Sequence, residues 1–211
     1  MSDINKNHTV QFLNDIYIDR DFLEIKKMAL ENEVPIMKLE TKEFLKSLLL
    51  LKQPKSILEI GSAVGYSSLI FSKYSDSQIT TIEKSKEMYD IALENFKKYD
   101  KNIKIINMDA IKALDNINQG FDFVFIDANK AHYKYYFDIC TEKLLNEDGI
   151  IVCDNVLFRG QISNDSLYDR RQATIIKRLR KFLTYITNLE AYHTSIIPIG
   201  DGISITSKLR S

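Results

Sequence analysis

The stretch Ile57-Leu58-Glu59-Ile60-Gly61-Ser62-Ala63-Val64-Gly65-Tyr66-Ser67-Ser68 reads as a strand, a glycine-containing turn and the start of a helix. In an open α/β sheet such a unit places a ligand at the carboxyl end of the strand. A dinucleotide fingerprint needs glycines at 61, 63 and 66. This chain has Ala63 and Tyr66, so close approach of a pyrophosphate is poorly supported. The spacing is E-x-G-x-x-x-G instead. It suits a ligand without phosphates whose amino and carboxylate ends, like those of a methionine tail, are met by Glu59, by backbone N–H groups of the turn at Gly61 and Ala63, and by the Ser67 hydroxyl.

Working outward, short β-branched runs alternate with helix-length segments: Ser56–Ile60, Gln78–Glu83, Ile103–Asn107, Phe121–Asp127 and Gly149–Asp154. This is the pattern of a parallel sheet with crossover helices. The run Phe121 to Ile126 is apolar almost throughout, as a strand buried on both faces requires. After a loop at Leu157–Asp169 a helix to about Asn188 is expected. Two runs then follow, Ala191–Ile197 and Gly202–Ser207, split by Pro198-Ile199-Gly200-Asp201-Gly202, a turn that closes an antiparallel hairpin. Before Pro54, apolar residues at three- and four-residue spacing (Val10, Leu13, Ile16, Tyr17, then Phe22 to Leu30 and Phe44 to Leu51) predict an N-terminal helical layer over about residues 1–53.

At 211 residues the chain suits one domain, 1–211. Lys plus Arg and Asp plus Glu are both 29, so no global field selects a nucleic acid or membrane, and any such partner must meet a local patch. Cys140 and Cys153 lack a C-x-x-C spacing and a nearby His, which argues for buried free thiols over a disulfide framework or zinc. The polar start and the shortness of the Leu48–Leu51 run exclude a signal peptide and a membrane span, so the chain is assigned to the cytoplasm.

Four acidic residues stand at or just past strand ends. Glu83, 22 residues past Gly61, stands where a carboxylate accepts both ribose hydroxyls, and Asp109-Ala110 can border an adenine. Taken alone, Glu83 reads equally as a strand-end charge helping to cap the helix that begins at Ser85. Asp127 and Asp154-Asn155 end consecutive strands. If those strands are neighbours, two carboxylates rise from backbones about 4.8 Å apart and need a cation between them. Oxygen ligands with no Cys or His nearby favour magnesium, manganese or calcium. Either Asp alone would read as a helix cap. Lys130, three residues beyond Asp127, is a candidate general base, or simply an exposed lysine opening a helix.

These residues carry a family likeness. Through Leu58-Glu59-Ile60-Gly61…Gly65-Tyr66-Ser67, Phe125-Ile126-Asp127-Ala128-Asn129-Lys130, Val152-Cys153-Asp154-Asn155 and Gly200-Asp201-Gly202, the chain resembles the metal-dependent S-adenosylmethionine O-methyltransferases of the catechol and caffeoyl-coenzyme A class. Within it, Val34-Pro35-Ile36-Met37, Asp154-Asn155-Val156-Leu157-Phe158-Arg159-Gly160 and Ile196-Ile197-Pro198-Ile199-Gly200-Asp201-Gly202 are most similar to bacterial tRNA 5-hydroxyuridine O-methyltransferases. The resemblance implies a Rossmann-like α/β sheet of seven strands, mostly parallel with the last reversed and helices on both faces. It also implies a homodimer, S-adenosylmethionine as methyl donor touched by Met37 and Ser67, and Asp127 serving both metal and cofactor surroundings. Catechol enzymes carry a Glu before the final Asp-Gly. Here Pro198-Ile199-Gly200 stands in its place, which weakens the case for a catechol acceptor, so 5-hydroxyuridine in tRNA is the first expectation and a small catechol-like or acyl-coenzyme A phenolic substrate the alternative.

A tRNA acceptor also finds a surface in Arg170-Arg171-Gln172-Ala173-Thr174-Ile175-Ile176-Lys177-Arg178-Leu179-Arg180-Lys181. Its six basic residues, Arg170, Arg171, Lys177, Arg178, Arg180 and Lys181, leave the rest of a neutral chain at minus six. Ile175, Leu179, Phe182, Leu183 and Ile186 would form the apolar face, with the basic side chains opposite and Arg159 extending the patch to the site. The plain alternative is a solvated helix face.

Overall fold

A computed structural model describes residues 7–163 and 170–210; the end of the loop after the fifth strand, 164–169, and the side chain of Arg170 lie outside the described residues. Helices α1 (Asn7–Ile16), α2 (Leu23–Glu31) and α3 (Leu39–Lys52) come first. They are followed by β1 (Ser56–Ile60), α4 (Tyr66–Tyr74), β2 (Gln78–Glu83), α5 (Lys86–Lys98), β3 (Ile103–Asn107), α6 (Ala110–Asn116), β4 (Phe121–Ile126), α7 (Tyr133–Ile139) and β5 (Leu145–Cys153). Helix α8 (Ala173–Thr187) and the hairpin of β6 (Tyr192–Ile197) and β7 (Ile203–Lys208) complete the order.

The seven strands form one sheet in the order β3-β2-β1-β4-β5-β7-β6. Strands β1 to β5 are parallel, and β7 runs antiparallel to both β5 and β6. This is the expected Rossmann-like sheet with its last strand reversed. From β1 the chain goes first to β2 and β3 on one side, then back across to β4 and β5 on the other. A crevice therefore opens between the carboxyl ends of β1 and β4, where strand order reverses.

Period-two alternation sorts the strand side chains onto two faces. Leu58, Ile60, Val124, Ile126, Ile151 and Cys153 pack with α6, α7 and α8. Ile57, Phe123, Phe125, Ile150 and Val152 pack with residues of α2 to α5. Each such buried side chain contributes about 1.5–3 kcal/mol, which explains why the central strands tolerate so few polar residues. On the second face Phe71 meets Phe125 edge-on at 5.2 Å. Strand β5 begins at Leu145, four residues before the apolar run predicted it. Pairing with β4 continues across a register shift, and Asn146 to Asp148 are exposed, so that part carries no apolar signal. On α8 the buried residues are Ile176, Leu179, Phe182, Leu183 and Ile186, with Ile175 only half-buried.

An ionic knot ties the α1–α2 connection to the body. The Lys42 ammonium, 1% exposed, bonds Asp19 and lies 3.5 Å from Asp21. Asp21 also takes Lys73 at 2.6 Å, Lys46 at 3.2 Å and the Tyr74 hydroxyl at 3.0 Å. Burial alone would raise the Asp21 pKa, but the donors Lys73, Tyr74 and Lys46 outweigh it and hold the group well below the usual carboxylate range. Asp19 is likewise lowered: Lys26 and Lys42 overcome its burial.

Stability from these two carboxylates is therefore present above their ordinary pKa and lost as pH falls through the depressed folded values. Replacing Lys42 by Ala leaves buried carboxylates short of a partner and should cost about 3 kcal/mol at neutral pH. The penalty should shrink toward pH ~3 as the stranded carboxylates take up protons. Urea denaturation of wild type and Lys42→Ala across this range checks both points.

Candidate active site

The crevice is a cavity of about 640 Å³ at the carboxyl ends of the parallel strands. Its wall brings together Met37, Gly61, Ala63, Ser67, Glu83, Asp109, Ala110, Asp127, Lys130, Asp154, Asn155 and Arg159, which the sequence scatters over more than half the chain.

The turn after β1 is built by glycine. Gly61 has φ +96, and a Cβ there would lie 2.2 Å from the Asp127 carbonyl oxygen; at Gly65 (φ +82) it would strike the Phe96 ring at 2.5 Å. Between them Ala63 takes φ 45, a left-handed conformation, and its N–H donates to Glu83 Oε2 at 2.8 Å. The other Glu83 oxygen accepts from Ser85 N at 2.7 Å. Glu83 thus braces the start of α5, as the capping reading expects, and it also lines the cleft. Asp109 caps α6, accepting from Ile111 N at 3.1 Å, and pairs with Lys84 at 2.9 Å. The Lys84 ammonium lowers its pKa.

Glu59 departs from the expectation that it meets the ligand directly. It is fully buried and absent from the cavity wall. Its oxygens accept from the hydroxyls of Ser67 and Ser68, and from Thr81 at 2.6 Å. The odd position in β1 points Glu59 toward α4, away from the crevice, so it acts on the turn from behind. Burial pushes its carboxyl up to about 7; the three hydroxyls oppose the rise and the Asp127 charge adds to it.

Asp127 and Asp154 emerge side by side. The ladder continues past the strand ends, with Asp127 N donating to Ile60 O at 3.1 Å and Asp154 N to Ile126 O at 3.0 Å. Asn155, at φ 59, donates its side-chain N–H to Asp127 Oδ1 at 3.2 Å and its backbone N–H to Asp154 Oδ1 at 2.6 Å. The Lys130 ammonium stands 3.6 Å from Asp127 and 5.4 Å from the centre of the Tyr133 ring. Asp154 is 3% exposed, and its pKa is raised, first by burial and then by the charge on Asp127.

Such a pair, all oxygen and short of donors, fits a hard divalent cation. Among the described residues no group of three or more His, Cys, Asp or Glu is placed to hold a metal; the set here is two carboxylates and an amide.

Residues that the sequence reading missed complete the wall. Ser62 Oγ, buried and lining the cleft, has no hydrogen-bond partner among the described residues. Asp201 reaches the cavity from the β6–β7 hairpin and bonds Lys38 at 2.9 Å. Tyr133, fully buried, donates its hydroxyl to the Asp154 carbonyl at 2.9 Å, fixing the end of β5 from below. The Gly-Asp-Gly turn was the one signal that could have flagged Asp201.

Of the basic run, Lys177, Arg178 and Lys181 are exposed on α8, which packs on the turn Lys130–His132 beside the cleft. Arg171 is also exposed. Arg180 is half-buried and donates Nε–H to the Ile162 carbonyl at 2.7 Å, bracing the loop rather than fanning outward with the others. No helix among the described residues is long and apolar enough to cross a membrane.

Residues 15–209 match the family profile described as O-methyltransferase. A caffeoyl-CoA O-methyltransferase of Populus kitakamiensis is 33% identical over 180 residues, covering 79% of this chain and 75% of the relative. Among solved structures, a Staphylococcus aureus protein provisionally named a caffeoyl-CoA O-methyltransferase superposes with a TM-score of 0.89 at 32% identity, over 96% of this chain and all of that one. An S-adenosylhomocysteine-bound methyltransferase of Podospora anserina shares the fold, with a TM-score of 0.87 at 24% identity over 98% of this chain and 97% of its own.

The raised carboxyl of Glu59 makes a pH test. A folded pKa above the unfolded one means the native state holds the extra proton, so this group's contribution to stability falls as pH rises from about 4.5 to about 7. Glu59→Gln should flatten that part of the curve, read as the difference between variant and wild-type denaturation midpoints across this window. Parallel curves would show that the carboxylate is accommodated without cost.

Proposed function

The chain belongs to the O-methyltransferase family, and from that premise we propose that it carries the methyl group of S-adenosylmethionine to one oxygen of an acceptor with two neighbouring oxygens, held beside Asp127, Asp154 and Asn155. The observation that carries this reading is the strand register, which sets the acidic pair next to the ligand turn of β1 inside one cavity.

Each residue has a part to play. The turn from Gly61 to Ser67 offers backbone N–H groups and hydroxyls to the amino-acid end of the donor. Glu83, held from both sides, offers its remaining lone pairs to the ribose hydroxyls. Met37 and Ala110 give the donor apolar walls. A divalent cation such as magnesium, manganese or calcium, held by Asp127, Asp154 and Asn155, would supply the positive charge that favours the deprotonated acceptor oxygen. Lys130 is placed to receive the acceptor proton or to steady the oxyanion. Holding acceptor and donor in line provides the rest of the rate.

For the acceptor, the names of the relatives support a small phenol with adjacent hydroxyls, free or as an acyl-coenzyme A thioester. A second reading is 5-hydroxyuridine in tRNA, whose 5-oxygen and 4-carbonyl offer the same five-membered chelate. The exposed Lys177, Arg178 and Lys181 beside the cleft favour it, since a basic face meets phosphates.

Calorimetry should show S-adenosylmethionine binding weakened about ten- to a hundred-fold by Glu83→Ala, the loss of about 1.5–3 kcal/mol expected of a charged hydrogen bond. Methyl transfer should fall to background in excess chelator and in Asp154→Ala; full activity in either would remove the cation from the reaction. Parallel assays on caffeoyl-CoA and on tRNA, with Lys177 and Arg178 changed to Glu, separate the acceptors. Charge reversal should abolish only the tRNA reaction.

A further inference from the structure

The segment between α2 and α3 carries Pro35, Ile36, Met37 and Lys38 into the wall of the strand-end crevice. Its last residue, Lys38, crosses to the β6–β7 turn and bonds Asp201 at 2.9 Å, a partner 163 positions away. Asp201 is brought there by its own backbone. Beside it, Gly200 (φ +57) and Gly202 (φ +88) sit so close to Thr41 and Leu157 that a Cβ on either would lie 2.3 Å from a side-chain atom of that neighbour. The carbonyls of Asp201 and Gly202 in turn accept from Leu157 N at 2.9 Å and Val156 N at 3.0 Å. Those two residues directly follow Asn155. One ion pair and two backbone bonds therefore run from the residue next to Met37 to the residue next to Asn155. The other charges on this rim are accounted for: Asp19 bonds Lys26 and Lys42, Arg159 has an interaction of its own, and Glu40 lies two places along the chain, where it does not face Lys38.

Building on the methyl-transfer reading above, we propose that Lys38 and Asp201 are positioning residues: their ion pair holds the Met37 wall at a fixed distance from Asp154 and Asn155, and so sets the line on which the methyl group passes from donor to acceptor. In that step an acceptor oxygen lone pair forms the new C–O bond as the C–S bond breaks and its electron pair stays on sulfur. The groups to be aligned hang from different parts of the molecule. Met37 belongs to the N-terminal helical layer, whereas the acidic pair is fixed to the sheet by the ladder that runs past β4 and β5. In-line displacement loses rate steeply when donor and acceptor shift by even about 1 Å. The donor's polar ends are met elsewhere, at the Gly61–Ser67 turn and at Glu83, so the pair acts on alignment and not on donor affinity. With side chains 52% and 18% exposed, it is a partly hydrated ion pair of the kind that adds little to global stability. Its loss loosens the wall without unfolding the protein.

Two readouts on Lys38→Met, Asp201→Asn and the double variant test the pair. The first is steady-state methyl transfer to caffeoyl-CoA and to tRNA with S-adenosylmethionine and magnesium; the second is amide hydrogen exchange with S-adenosylhomocysteine bound. On whichever acceptor the wild type methylates, each single variant should lower kcat about three- to five-fold, the scale of a partly exposed ion pair. The double variant should fall no further, since the two residues act as one unit. Lys38→Arg should recover most of the rate. Calorimetric affinity for S-adenosylhomocysteine and the thermal unfolding midpoint should stay near wild type. Exchange should quicken in Lys38→Met over residues 36–38 and also at Val156 and Leu157. Unchanged kcat in the single variants, losses that multiply in the double variant, or a loss carried by donor affinity overturns the proposal. So does exchange at Val156 and Leu157 that ignores Lys38→Met. If the wild type methylates neither acceptor, the methyl-transfer reading falls, while the exchange result still decides whether the pair holds the two segments together.

Discussion

At Gly61 the end of β1 passes so close to the end of β4 that the Asp127 carbonyl occupies the space where a β-carbon would be. That approach lets the ladder run on past the strands, from Ile60 O to Asp127 N and from Ile126 O to Asp154 N. The Gly61–Gly65 turn and the acidic pair thus share one rigid edge rather than sitting on independent loops. The positive φ of Gly61 makes the same demand a second time, since an L side chain there would be strained even without the collision. Tyr133 closes the arrangement from beneath by holding the Asp154 carbonyl.

Three buried carboxylates show how differently one fold can treat the same group. Asp21 is surrounded by lysines and a tyrosine hydroxyl and stays charged easily. Glu59 meets only hydroxyls, which donate without bringing positive charge, so burial dominates and its pKa rises. Asp154 has a single backbone donor besides the neighbouring charge of Asp127, and it too is pushed up. The first is a structural anchor. The second organises the turn from within the core. The third lines the cleft beside a like charge, and only the field of Lys130 opposes its rise from that side.

Left-handed backbone clusters at the same edge. Ala63, Asn155, Phe158 and Arg159 all have positive φ without being glycine, and each costs on the order of 1 kcal/mol relative to a relaxed loop. At Ala63 the return is the N–H directed at Glu83; at Asn155 it is a side chain turned toward Asp127. The hairpin glycines assist from the other side: Gly200 fits against Thr41 and Gly202 against Leu157, bringing Asp201 to the cavity wall.

The parallel sheet, its closing hairpin and part of the cavity wall were legible in the chain itself, because strand periodicity, turn glycines and acids at strand ends are local signals; the reversed last strand and Met37 came with the family resemblance. Asp127 and Asp154 could be paired in advance because consecutive parallel strands tend to be neighbours. Other features depended on which way a side chain faces and what approaches it from afar. Glu59 sits in the motif but turns to the core, since alternation along β1 and the placement of α4 decide its side. Lys42 reads as an ordinary helix charge until Asp19 and Asp21 fold over it. Asp201 and Ser62 join the site only when the hairpin and the turn close around the same space. The sequence by itself determined the order of elements and the kinds of group at their ends; the tertiary structure decided which of those groups meet, because burial and distance are properties of packing that no local pattern encodes.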